Sequence, residues 1–206
     1  MKNTPKQIGT GIWINEKVTF GKKVEIGHSS CIGFPVENET QCSIGNSVNI
    51  GAFSLVSMGV KIDNYTKIDH YCRVDRGTKI GSRTQILFGT RIHEDVKIGH
   101  NCIIAGSCSD NVHIGNKVEH YGRIVHSRND PNKDYDGEPD PAPRIGDGVI
   151  IYANSLIIGG IKLGKQSIIM PGEIVRENVP AQHIFSGGKS IPVSKWNNNK
   201  IRLKKL

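Results

Sequence analysis

Residues 60–86, "VKIDNYTKIDHYCRVDRGTKIGSRTQI", repeat with a period of six. Ile62, Ile68, Val74, Ile80 and Ile86 mark the first position of each repeat. Val60, Thr66, Cys72, Thr78 and Thr84 stand two residues before them, at the fifth position. Most of the residues between are charged or are Asn and Gly. A period of six fits neither a helix at 3.6 nor a simple strand at 2. Each unit is too short to hide its own apolar stripe, so the stripe is buried only when units stack.

Stepping outward by six from this stretch gives Ile8, Ile14, Phe20, Ile26, Ile32, Asn38, Ile44, Ile50 and Val56 on one side. On the other it gives Ile92, Ile98 and Ile104. Asn38 is the polar interruption. After Ile104 the next aliphatic in "SDNVHIGNKV" is Ile114, so two residues are missing from a perfect count. The rhythm returns at Ile145 and runs through Ile151, Ile157, Leu163, Ile169 and Val175. The pattern predicts an all-β chain in which short parallel strands coil and stack, with aliphatics inside and Gly, Asp and Asn in the turns. Residues 1–180 form this domain, with a loop over 126–144 extruded from it. Residues 181–206 form a C-terminal extension, expected to hold a short helix on the coil.

Composition agrees. Aromatics are 6% of 206 residues while 24 are Gly, which suits a thin object filled by Ile and Val. The five cysteines include no C-x-x-C pair, which argues against a disulfide framework or a zinc knuckle. Cys42, Cys72, Cys102 and Cys108 are assigned to fifth positions, as small core residues. The net charge of +8 points to an anionic partner. No stripe of aromatics and Arg suits nucleic acid, and the only concentrated basic run is the tail "NKIRLKKL". No apolar run reaches transmembrane length and the start lacks a signal-peptide core, so the expectation is a cytoplasmic protein without membrane insertion.

The repeat resembles that of the left-handed β-helix hexapeptide acyltransferases over nearly the whole chain. The left hand is implied by that resemblance; the general rule for parallel crossovers would give the opposite. The segment 141–180, with Gly146-Asp147, Gly159-Gly160, Leu163-Gly164 and Val179-Pro180, resembles galactoside and xenobiotic acetyltransferases. "RNDP" at 128–131 resembles an element of nucleotide-sugar N-acetyltransferases. The resemblance implies an acetyl-CoA-dependent transferase acting on a hydroxyl or amine of a saccharide or sugar nucleotide. It also implies a homotrimer with sites between subunits. Ala153, Gly159, Gly160, Pro171, Gly172, Arg176 and Lys189 are the implied cofactor-binding residues.

Such a transfer needs a base, and imidazole suits that task near neutral pH. His126 stands where the regular strand gives way to the loop. Its second ring nitrogen could be held by Asp130 or Glu119. His100, third in "IGHNC", is the rival: it matches the histidine of lipid A and sialic-acid-type enzymes of this fold, and "VDRGT" at 74–78 also resembles the lipid A enzymes. His28 and His70 share its position, so a repeated turn residue explains it as well. His93, His113, His120 and His183 read as solvated or packing residues. Two other classes remain open. Gamma-type carbonic anhydrases share the coil and bind zinc through three histidines, but no matching set is found, and no metal is expected. A non-catalytic scaffold would leave the loop incidental.

Overall fold

The computed structural model describes residues 3–35, 41–127 and 140–196. Strands of two to four residues stack into three long sheets of eleven, nine and eight strands, every pair parallel except the last in the sheet of eleven. Successive strands visit the first, second and third face in turn, so each circuit adds one rung to every sheet. This is the all-β parallel β-helix expected from the period, consistent with the left-handed family. Its interior is a file of repeat-first residues: Ile50, Ile68, Ile86 and Ile104 lie in line on the first face, all buried.

Fifth positions face inward at the corners. Thr66, Thr78 and Thr84 are buried there, and each hydroxyl donates to a backbone carbonyl of the coil above, at Gly81, His93 and Gly99. A β-branched hydroxyl thus fills the corner and satisfies a backbone acceptor in the same place. Cys42, Cys72 and Cys102 occupy the same kind of position. Cys108 does not: it is aligned with Ile92 below and Ile124 above, so it is a first-position residue. Burial pushes the Cys42 and Cys108 thiols up to about 12 and Cys72 to about 11, which leaves them unreactive packing groups.

The break after Ile104 is a shortened corner. Ile104 and Cys108 are only four apart, and the step recurs one coil later between His120 and Ile124. Gly106 and Gly122 make both corners possible. A Cβ on Gly106 would overlap the Gly122 carbonyl oxygen, and one on Gly122 would lie 2.5 Å from the Ser155 carbonyl oxygen. His120 therefore takes an isoleucine's place between Ile104 and Ile151, fully buried.

Two insertions interrupt the coil between the second and third faces. Ile32 and Ile44 are twelve apart while their partners Val56 and Ile62 are six apart, so six extra residues intervene. Because six is one repeat, counting in sixes could not see it, and Asn38 was read as a repeat position; it lies outside the described residues. Ile124 and Ile145 are 21 apart against partners six apart, which places fifteen extra residues in the predicted loop. Arg128–Glu138 and Pro139 of that loop, with the "RNDP" element, lie outside the described residues.

The segment after 180 begins as a further rung, His183–Ser186 pairing with Ile168–Ile169. The expected short helix is instead an antiparallel hairpin. Lys189–Pro192 returns along His183–Ser186 through Gly187-Gly188, both at positive φ as a two-residue hairpin turn requires. A single 3-10 turn, Val193–Lys195, follows.

Candidate active site

The fifteen-residue insertion leaves the coil after Arg123–Val125, at the corner between the second and third faces. His126 is the first residue beyond that strand. Its backbone N–H donates to Ser109 Oγ at 2.7 Å, one coil below. Its Nε2 lies 3.8 Å from Asp140 Oδ2, with the imidazole 34% and the carboxylate 28% exposed. At that distance the contact is electrostatic rather than a hydrogen bond. Among the described residues, Asp140 and not Glu119 is thus the carboxylate beside His126. Glu119 is on the first face, where Oε2 accepts from the Tyr121 hydroxyl at 3.3 Å, and Asp130 lies outside the described residues. Sequence reasoning missed Asp140 and Ser109. The one available signal was that Asp140 opens "DPAPRIG", the segment that returns the loop to the coil.

Gly159 and Gly160 sit at the same corner one coil above. The Gly159 N–H donates to the Val125 carbonyl at 3.0 Å, and a Cβ on Gly159 would lie 3.3 Å from Ser127 Oγ. A Cβ on Gly160 would lie 2.6 Å from Pro141 Cβ, so the returning loop packs onto bare backbone here. The Gly160 N–H has no hydrogen-bond partner among the described residues. Arg176 is exposed at this corner on the next coil.

The other implied cofactor residues are elsewhere. Ala153, Pro171 and Gly172 are at the corner between the first and second faces, with Gly172 N–H donating to the Ala153 carbonyl at 3.1 Å. Lys189 is exposed on the hairpin above them, whose turn is tied down by Glu173: Oε1 accepts from Gly187 N–H at 2.6 Å and Oε2 from Gly188 N–H at 3.2 Å. The seven residues therefore line both edges of the second face. Between the two edges its outward residues Leu156, Ile158 and Ile174 are apolar, and Ile174 is well exposed.

His100 is at the third corner, between the third and first faces, in a ladder of turn side chains. Asn64 Oδ1 accepts from Asn46 N–H at 2.6 Å, His100 Nδ1 from Ser82 N–H at 2.9 Å, Asn116 Oδ1 from His100 N–H at 2.9 Å, and Asp147 Oδ1 from Asn116 N–H at 2.8 Å. An imidazole here does what Asn and Asp do on neighbouring coils, satisfying an N–H of the coil below. His70 does the same for Ala52 N–H at another corner. No group of three His, Cys, Asp or Glu is placed to hold a metal ion among the described residues. No helix among them is long and apolar enough to cross a membrane.

Residues 77–109 match the family model described as bacterial transferase hexapeptide (six repeats). Over 43 residues the chain is 44% identical to 2,3,4,5-tetrahydropyridine-2,6-dicarboxylate N-acetyltransferase of Clostridium perfringens, a match covering 21% of this chain and 18% of that protein. The chain thus spans less than a fifth of the curated relatives it matches. Among solved structures, LpxA from Acinetobacter baumannii aligns with a TM-score of 0.60 at 18% identity, covering 89% of this chain and 72% of that one. UDP-N-acetylglucosamine acyltransferase from Campylobacter jejuni aligns with a TM-score of 0.49 at 14% identity, covering 87% and 71%. The chain carries the hexapeptide repeat of the bacterial transferases on a β-helix that shares its fold with LpxA.

Proposed function

We propose that the protein is an acetyl-CoA-dependent acetyltransferase acting on a hydroxyl or amine of a saccharide or sugar nucleotide, with His126 as general base. The observation that carries this is the His126–Asp140 pair at the root of the inserted loop, set against the bare backbone of Gly159-Gly160. The N-acetyltransferase that the chain resembles over 43 residues supports the reaction class. A base that faces Asp140 through Nε2 has Nδ1 left to take the acceptor's proton. As oxygen or nitrogen attacks the thioester carbonyl, the proton passes to the ring, and the Asp140 carboxylate stabilises the imidazolium. The Gly160 N–H is suited to bind the oxyanion of the tetrahedral intermediate. Collapse of that intermediate expels the CoA thiolate, which regains a proton from the ring. Arg176 and Lys189 supply positive charge for the cofactor phosphates, and the strip of Leu156, Ile158 and Ile174 suits the pantetheine arm.

Acetyl-CoA consumption with a panel of saccharides, read by mass spectrometry of the products, tests this. His126→Ala is expected to lower kcat by roughly 10²–10⁴-fold with acetyl-CoA affinity nearly unchanged. Retained activity in His126→Ala together with its loss in His100→Ala would move the base to His100. Absence of acetyl-CoA binding would remove the transferase reading.

A further inference from the structure

Outside the site, the most regular feature of the surface is the third face. Its outward position on successive rungs is Lys61, Lys79, Lys97, His113, Arg144 and Lys162, aligned rung upon rung. Parallel neighbours lie about 4.8 Å apart, so this is a single file of five cations and one imidazole running along the helix axis. Like charges directly opposite on adjacent strands repel. None of the five Lys and Arg has a carboxylate within ion-pair distance among the described residues. The field is felt within the file: partial burial first, then Arg144 and Lys97, hold His113 below the ordinary imidazole range.

Beside the cations runs a second file with no side chains. From Gly81 to Gly164 the residue after each core position is glycine: Gly81, Gly99, Gly115, Gly146, Gly164. Coil stacking enforces this, since a Cβ on Gly81 or Gly99 would lie 2.6 Å from the backbone of the next coil. The outcome is a trough with a backbone floor and a cationic wall, and its upper part is an open depression of about 440 Å³ lined by Lys97, His113, Arg144 and Lys162. That end adjoins the candidate site. Arg144 follows Asp140 by four residues and Lys162 follows Gly160 by two.

We infer that the third face binds an extended anionic polysaccharide, one carrying a carboxylate or sulfate on its successive sugars, and leads its chain toward His126. A file of charges interrupted only at His113 matches a polymer that carries charge on its successive sugars, and the backbone floor admits a polyhydroxylated chain. Single-stranded nucleic acid fits less well, because it is held by aromatic stacking and no outward position of this file is aromatic. The inference rests on the saccharide reading above and narrows its acceptor class.

The test uses the full chain and fluorescently labelled oligogalacturonides of increasing length, with neutral dextran and poly(dT) as comparisons. Affinity should rise with oligogalacturonide length and fall linearly with salt on logarithmic axes. The variant Lys61→Gln/Lys79→Gln/Lys97→Gln lies away from the loop. It should bind oligogalacturonide about tenfold or more weakly, with circular dichroism, acetyl-CoA binding and transfer to small acceptors unchanged. Oligogalacturonide bound no better than dextran, or equally well by the variant, would overturn the inference. So would tighter binding of poly(dT) at equal ionic strength, or loss of acetyl-CoA binding in the variant, which would make the file a cofactor site. Acetyl-CoA binding by the wild-type chain is read separately, so its failure would remove the transferase reading while leaving the polyanion result to stand or fall alone.

Discussion

His126, the expected base, its rival His100, and His120, read as a solvated or packing residue, differ in what the fold asks of each. His100 caps a turn that Asn caps elsewhere, and His126 borders an insertion beside a carboxylate. His120 fills a core position, the packing half of its reading, and its exact place was hidden because the four-residue steps at Gly106 and Gly122 escape a count of six. Its Nε2 lies 3.3 Å from the Ser107 carbonyl oxygen and its Nδ1 has no partner among the described residues, and burial pulls its pKa down to about 4. The folded state therefore keeps the ring neutral, while the unfolded chain protonates it below its ordinary value near 6.5. The neutral form's contribution is complete above that value and is lost as pH falls toward 4. At 1.36 kcal/mol per unit the loss is roughly 3 kcal/mol. His120→Leu removes the titration, so its melting temperature should fall less between pH 7 and pH 4.5 than that of the wild type. Parallel falls in the two proteins would mean that His120 does not govern acid stability.

At the scale of the element, the corner decides more than the strand. Two-residue strands carry little information of their own, and the fold was legible because each corner demands the same small residue at the same phase. Where corners stay regular, from Ile44 to Ile104, the first and fifth positions name the core residues apart from Ala52 and Met58. The count fails where a corner changes length. Cys108 was misplaced by the first short step, and Asn38 by an insertion equal to one repeat. The hairpin after Ser186 was missed because Gly187-Gly188 was not read as a turn between two strands. The short corners give a direct test. Gly106 is also 2.7 Å, at its missing Cβ, from His120 Nε2, so Gly106→Ala must displace either the Gly122 carbonyl or the buried ring. Overpacking of this kind costs about 1–3 kcal/mol. Gly89 occupies the same corner at full length, and a Cβ there meets nothing within 4 Å. Its positive φ of 69° still strains an alanine, so the comparison is between strain alone and collision. Denaturant titration should show Gly106→Ala destabilised more than Gly89→Ala; equal effects would mean the short corner relaxes freely.

For the whole molecule, the puzzle is that four of the seven implied cofactor residues lie at a corner away from His126. His126, Gly159, Gly160 and Arg176 share the corner between the second and third faces, whereas Ala153, Pro171, Gly172 and Lys189 share the corner between the first and second. A cyclic assembly resolves this, because a heterologous interface pairs two different patches and can set one corner of a copy against the other corner of the next. The first–second corner is also the apolar one. Phe53, Tyr71 and Phe88 are exposed there at 43%, 55% and 64%, in a continuous file. Phe53 and Tyr71 stack at 4.8 Å with planes 13° apart, and the Tyr71 and Phe88 centroids are 5.5 Å apart. Phe53 and Tyr71 also take positive φ, of 57° and 58°, where bulky residues are uncommon and Asn serves at Asn101, Asn111 and Asn154. Exposed rings held at that cost fit burial against a second copy, whereas the cationic third face would repel its copies and stays outward. The expected state is the homotrimer implied by the resemblance, with each site built from two chains. Sedimentation at micromolar concentration should give a trimer, and Phe53→Ser/Tyr71→Ser/Phe88→Ser should give an inactive monomer that still melts cooperatively. Subunit exchange then separates shared from private sites. Mixing inactive His126→Ala chains with cofactor-defective Lys189→Glu chains should restore part of the activity, because some interfaces then join a wild-type loop corner to a wild-type cofactor corner. A fully active monomer, or no recovery on exchange between trimers, would confine the site to one chain.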